Sequence, residues 1–312
     1  MLISSTFNPV SLFVLSFSML LVSTCSNPLF DQFSLPYKTK EPTNTYPLKK
    51  SLKEISGLSI LDDKHVAVID DEVGSIFYYN LLTEKIIGKV KFGPMGDWED
   101  LVLKGDTAFV LKSNGTITEV RGIKSYDTTR VIKSYDTELD IKNDAEGLCY
   151  DPENNRLLIA CKGRSGLKGF EEKYKNKRAI YSFDLKTYKL NTTPVILIDA
   201  IKLEGMILGM QKNVIRRLMQ LYNVNTAETF RPSGLAIHPV TKDLYIISAV
   251  GNVLVIIDKE GNILKAVKLS PHIFKQPEGI AFDKQNNLFI SNEGKTGKGN
   301  ILKFTYNKDT KI

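Results

Sequence analysis

Apolar and polar residues alternate along most of this chain in short bursts, each broken by turn-forming residues. The stretch "DAEGLCYDPENNRLLIACKG", from Asp144 to Gly163, shows the pattern: an apolar run, a turn of Asp, Pro and Asn, then a second apolar run. Nearly the same phrase returns as "QPEGIAFDKQNNLFISNEG", from Gln276 to Gly294. Short runs rich in Val, Ile, Phe and Tyr, bounded by turn residues, predict β-strands, and their recurrence predicts a repeat architecture. Five such phrases start at Glu54, Asp97, Asp144, Arg231 and Gln276. Each reads as a first strand after Gly or Asp, a turn, a second strand, a Gly-containing turn and a third strand. A fourth strand shows in "KIIGKVKF" and "NILKAVKL". Four antiparallel strands at a spacing of roughly 40–45 residues predict a blade of a β-propeller. The expected fold is all-β, a five-bladed β-propeller.

The interval between Asp144 and Arg231 is about twice the others, which leaves six blades as the alternative. Five are favoured because the third phrase runs on to about Asp199, through a long loop after Gly163. An amphipathic helix near residues 201–222 then fills the rest. Ile207, Met210, Val214, Leu218 and Leu221 fall at helical spacing, with Lys212, Arg216 and Arg217 on other faces. The helix is expected to pack on the propeller, over one mouth of its channel; a partner-facing or membrane-facing helix is the alternative. A strand from Tyr46 to Leu52 is expected to complete the last blade and close the ring.

Composition sets limits on this picture. Hydrophobic residues make up 42% and charged residues 25%, which fits a globular chain and not a disordered one. The net charge is +7. Its lysines and arginines are scattered, except between Lys162 and Arg178, and they carry no nucleic-acid reading motif. No nucleic-acid partner is expected, and the run reads as a solvated basic loop.

The apolar run from Val10 to Cys25 is shorter than the roughly 20 residues of a membrane span and fits the core of an export signal. Residues 1–24 are expected to be a lipoprotein-type signal, with Cys25 the lipidated residue, although no Lys or Arg precedes the run. Plain secretion or an uncleaved anchor remain open. The Pro-, Thr- and Lys-rich residues 25–50 read as a tether, and 51–312 as the propeller. This places the protein at the bacterial envelope, periplasmic or surface-exposed, held to the membrane by its lipid. Cys149 and Cys161 read as buried thiols. The histidines, His65, His238 and His272, read as surface or capping residues.

The motifs "DWEDL", "AEGLCYD", "RPSGLAIHP" and "QPEGIAFD…LFISNEG" together resemble the SdiA-regulated family of bacterial envelope proteins, itself distantly similar to NHL-repeat propellers. The resemblance spans about residues 50–307. It implies a five-bladed propeller, membrane association and a calcium site, and no settled activity.

Aligning the five first strands puts Ser56, Glu99, Glu146, Ser233 and Glu278 at one position, beside a Gly or Asp. First strands line a propeller's channel, so three carboxylates would face one axis. Like charges that close raise each other's pKa unless a cation joins them, and a hard cation such as calcium takes six to eight oxygens. Glu99, Glu146 and Glu278 are the leading candidate metal ligands, followed by Asp71 and Asn292. Asp70, Glu72, Asn114 and Glu293 also fall at the ends of second strands. The competing expectation is that these acids only accept hydrogen bonds from strand-start amides or line a wet channel. Two functions remain open: a calcium-binding scaffold with an unknown protein or small-molecule ligand, or a calcium-dependent hydrolase of an ester, lactone or phosphate. No catalytic residue is assigned, since no nucleophile elbow, Walker loop or zinc motif is present.

Overall fold

A computed structural model describes residues 35–124, 130–208, 230–295 and 297–310. The chain begins with β1 (Asn44–Pro47) and a 3₁₀ turn at Lys50–Leu52. Blade 1 is β2 (Ile55–Ile60), β3 (His65–Asp70), β4 (Ser75–Asn80) and β5 (Lys85–Lys91). Blade 2 is β6 (Trp98–Lys104), β7 (Thr107–Lys112), β8 (Ile117–Arg121) and β9 (Arg130–Tyr135). Blade 3 is β10 (Ala145–Asp151), β11 (Arg156–Cys161), β12 (Lys177–Asp184) and the long β13 (Lys189–Asp199), followed by helix α1 (Ala200–Leu208). Blade 4 is β14 (Gly234–Ile237), β15 (Leu244–Ser248), β16 (Val253–Ile257) and β17 (Ile263–Lys268). Blade 5 is β18 (Pro277–Phe282), β19 (Leu288–Asn292) and β20 (Asn300–Phe304). Its fourth strand is β1, which pairs antiparallel with β20, Tyr46 opposite Ile301.

The protein is thus a five-bladed propeller closed by its own N-terminal strand. The expected closing strand, Tyr46–Leu52, lies about two residues earlier. Pro47 ends the ladder, and the apolar Leu48 and Leu52 are buried by the turn that follows. The tether is also shorter than composition suggested. Tyr37 is buried, Asn307 N donates to Pro36 O and Thr43 N donates to Lys303 O, so the chain is fastened to blades 4 and 5 from Pro36 onward. Within the described residues, the doubled interval holds the loop before β12, the eleven residues of β13, and α1. Leu203 and Ile207 of α1 pack with Ile196 and Ile198 of β13 and Ile263 and Ala266 of β17. This described part of the expected helix therefore fills a gap between the outer strands of blades 3 and 4. Met210, Lys212, Val214, Arg216, Arg217, Leu218 and Leu221 lie outside the described residues.

No single core exists. Five apolar layers lie between neighbouring blades, and each strand contributes alternate residues to the two layers it touches. Cys149 and Cys161 are buried free thiols in different layers, since Cys149 lies opposite Leu158, three residues before Cys161 on the next strand. The repeated Asp and Asn build the turns. Asp151 Oδ1 accepts from Glu153 N and Asn154 N, while Asp283 Oδ1 accepts from Gln285 N and Asn287 N. These carboxylates stand in for backbone acceptors that the tight turn cannot supply.

The inner strands β2, β6, β10, β14 and β18 meet at the axis. A Cβ on Gly57 would lie 2.6 Å from Asp100 Cα, and one on Gly279 2.7 Å from Ser56 O. Contacts under 3 Å are forbidden, so these positions need glycine. Blade 2 has Asp100 instead. Its Oδ1 accepts from Leu101 N at 2.8 Å and its Oδ2 from Leu148 N at 2.7 Å, which fastens blade 2 to blade 3. One step outward, Leu58, Leu101, Leu148, Leu235 and Ile280 form an apolar ring. The cavities at the two ends of the axis share no lining residue.

Tyr37 ties the N-terminal segment to this frame. His238 Nδ1 accepts from Thr241 N at 3.1 Å, so the ring proton sits on Nε2 and is donated to Tyr37 Oη at 2.9 Å. Tyr37 Oη in turn donates to Asn286 O at 2.7 Å. His238 is a capping residue, as expected, but fully buried. Burial, with Lys242 nearby, lowers its pKa to about 4.

Two outcomes follow from this packing. Asp100→Ala leaves two buried N–H groups without acceptors and should lower the unfolding free energy by roughly 2–5 kcal/mol, read by denaturant titration. For His238, the unfolded imidazole gains a proton near pH 6.5 while the folded one stays neutral to about pH 4. Its contribution is full above pH 6.5 and is lost as pH falls toward 4. The stability gap between wild type and His238→Phe should therefore narrow across that window; a constant gap would refute the assignment.

Candidate functional site

The mouth where the inner strands begin is acidic. Ser56, Glu99, Glu146, Ser233 and Glu278, the five aligned positions, all line one cavity of about 170 Å³. The ends of second strands add Asp71 and Glu293, and Asp97 and Gln276 come from the strand entries. Strand alternation explains which residues arrive. On β19, Ser291 Oγ donates to Ser56 O and accepts from Gly279 N, so it faces the axis. Two residues on, Glu293 returns to that side and reaches the mouth. Asn292 points the other way, donating from Nδ2 to Asn300 Oδ1 at 3.0 Å on β20. Of the five candidate ligands, Glu99, Glu146, Glu278 and Asp71 are brought together; Asn292 is fully buried elsewhere and does not line the cavity. Asn114 caps its own turn by accepting from Thr116 N. Cys25 lies outside the described residues.

Lys162 is the residue that sequence reasoning missed. It follows the last residue of β11 and extends its side chain into the cavity, where Nζ lies 2.7 Å from Glu146 Oε1. It had been grouped with a solvated basic run, and that run is largely structural. Arg164 pairs with Asp140 at 2.7 Å and Glu171 at 3.1 Å. Arg178 is buried and donates to Phe230 O, and burial lowers its pKa to about 10. The available signal was position: Lys162 stands at the end of a second strand, as Asp71 and Glu293 do.

Among the described residues, six carboxylates thus face one ammonium. Burial raises the Glu99 pKa far above the usual carboxylate range, and the Glu146 and Asp97 charges raise it further. Burial also lifts Glu146, against the pull of Lys162. Glu278 is pushed up to about 8 by burial and by Glu146. Asp71 is pushed up to about 7 by burial and then by Asp70, Glu54 and Glu293. Burial works against the Lys162 ammonium, yet Glu146, Glu278 and Asp144 hold its pKa above the ordinary lysine value. Without a further cation, the cavity relieves its charge by taking up protons.

Does this set fit a metal ion? The lining is rich in hard oxygen donors and contains no imidazole or thiol, which suits calcium and not zinc or copper. The buried Asp71 Oδ1 has no hydrogen-bond partner, which leaves a donor free. Among the described residues, no three of His, Cys, Asp and Glu are already drawn together as an ion site. Taking up an ion would require Lys162 to leave Glu146 and the carboxylates to close in.

Protonation of Glu278 has a measurable consequence in chelator-treated protein. The folded side chain holds its proton to about pH 8, the unfolded one only to about 4.5. Folding is therefore favoured at low pH, and this advantage is lost as pH rises from about 5 to about 8. Glu278→Gln should reduce that slope, the rest coming from Glu99, Glu146 and Asp71, and be the more stable protein at pH 8 in denaturant titrations.

Comparison with known proteins agrees with this architecture. The family model described as SdiA-regulated matches residues 38–296. No curated protein matches the chain. Among solved structures, the Myxococcus xanthus glutaminyl cyclase is similar over 86% of this chain and 96% of its own, with 12% identity and a TM-score of 0.55. A luciferin-regenerating enzyme is similar over 85% of this chain and 95% of its own, with 11% identity and a TM-score of 0.45. At such identities the likeness is one of fold and carries no activity across.

Proposed function

The chain belongs to the SdiA-regulated family of β-propellers, and from that premise we propose that it is a membrane-anchored envelope protein whose acidic mouth binds calcium. In this reading it serves as a binding or scaffolding module, with Cys25 as the lipid attachment point. The observation that carries the cation reading is the convergence of six carboxylates on one small cavity with a single lysine against them. A hard divalent ion neutralises such a set through oxygen ligands alone, with loose geometry that tolerates acids drawn from several blades. Glu99, Glu146, Glu278 and Asp71 would hold it, and Lys162 would mark the ion-free state by pairing with Glu146. The anchoring reading rests on the apolar run ending in Cys25.

The only tryptophan, Trp98, lies next to Glu99 and can sensitise terbium emission in the cavity. The chain from Ser26 onward keeps every described strand, including β1. It should show sensitised terbium emission that calcium reverses, and Glu146→Gln and Glu278→Gln should each weaken binding at least tenfold. Wild-type protein without emission, or without competition by calcium, would overturn the calcium reading. Chelator-sensitive hydrolysis of an ester, lactone or phosphate panel would instead favour the calcium-dependent hydrolase.

A further inference from the structure

The opposite mouth is a different chemical environment. Beyond the ring from Leu58 to Ile280, the inner strands end in Ile60, Leu103, Tyr150, Ile237 and Phe282, around a cavity of about 460 Å³. It shares no lining residue with the acidic cavity, and the apolar ring forms its floor. Its size falls in the lower half of the roughly 300–1,000 Å³ typical of small-molecule pockets. The walls are aliphatic and the charges stand at the rim. Two rim cations are already paired, Arg156 with Asp151 at 2.8 Å and Lys259 with Glu153 at 2.6 Å. Asp258 is used by its own turn, accepting from Glu260 N and Asn262 N. Among the described residues Lys242 is left at the rim, exposed and with no carboxylate partner.

The chain also arrives at this mouth. Tyr37 packs against Phe282, with ring centroids 6.1 Å apart, and bonds to the turns after β14 and β18. Ten residues separate Leu35 from Cys25, a reach of about 35 Å at most. An anchor at Cys25 would therefore hold Leu35 within that distance of the membrane. This step rests on the anchoring reading; the cavity itself does not.

We propose that the apolar mouth binds a single-chain anionic amphiphile, a long-chain fatty acid, with its hydrocarbon in the cavity and its carboxylate at Lys242. The volume of this aliphatic pocket suits one chain better than the two of a phospholipid. Val240, exposed beside Pro239 and Lys242, extends the apolar rim.

The test uses the chain from Ser26 onward, which carries no lipid of its own, and a fluorescent polyene fatty acid as the probe. Binding should be saturable at one site and reversed by palmitate. Competition by saturated acids should strengthen about tenfold for each two carbons until the cavity is full, following the burial of methylenes. Ile60→Glu and Leu103→Trp, each checked for an unchanged thermal transition, should weaken binding at least tenfold. Lys242→Glu should weaken fatty acids but not the matching alcohol. Absence of saturable binding by wild type would overturn the proposal. So would binding that ignores chain length, or a preference for two-chain phospholipid in vesicles. Labelling of Cys25 in cells with an alkyne fatty acid tests the anchor separately, so the failure of either reading can be told from the failure of the other.

Discussion

Everything in this molecule depends on five strands approaching one axis more closely than side chains allow. Gly57, Gly147, Gly234 and Gly279 make that approach possible, and Asp100 makes it specific, because its carboxylate bonds the next strand in place of the missing glycine. The tight waist that results has two effects. It brings the five preceding residues close enough for their carboxylates to interact, and it lies between two mouths of separate chemistry that share no lining residue. A wider waist would admit more water along the axis and relieve the acids by solvation.

The acidic mouth is a place where one constraint acts against another. Packing at the axis places Glu99, Glu146 and Glu278 together; electrostatics resists their common ionisation. Lys162 balances part of that charge and protons balance the rest. The opposite mouth has no such conflict, since its apolar residues gain from the same convergence. A single architectural decision thus yields a polar cavity held in tension and an apolar one at rest.

Much of this was legible in the sequence because the repeat carries it. The first strands were expected to start at 54, 97, 144, 231 and 276, and they begin within a few residues of those positions. The aligned Ser and Glu residues could be placed at the axis from strand order alone. What failed did so for local reasons. Asn292 was assigned by proximity to a strand end, when strand alternation turns it away and returns Glu293 to the mouth. Lys162 was hidden in a basic run, because charge along a sequence does not reveal which member leaves the surface. The closing strand was misplaced because Leu48 and Leu52 are buried by a turn as well as they would be by a strand. The docking of Tyr37 left no periodic signal at all, since it depends on one ring and two distant turns.

That docking gives the closure a mechanical character. β1 and β20 hold the ring shut through a ladder only four residues long, an edge that would peel readily if loaded from its end. The load does not arrive there first. A pull on Leu35 meets Tyr37, its buried ring and its bonds to His238 and Asn286, several residues before it reaches Asn44. Tyr37 thus works as the knot behind a seam. It spreads tension into blades 4 and 5 and leaves the stitch between the two ends of the chain unstressed.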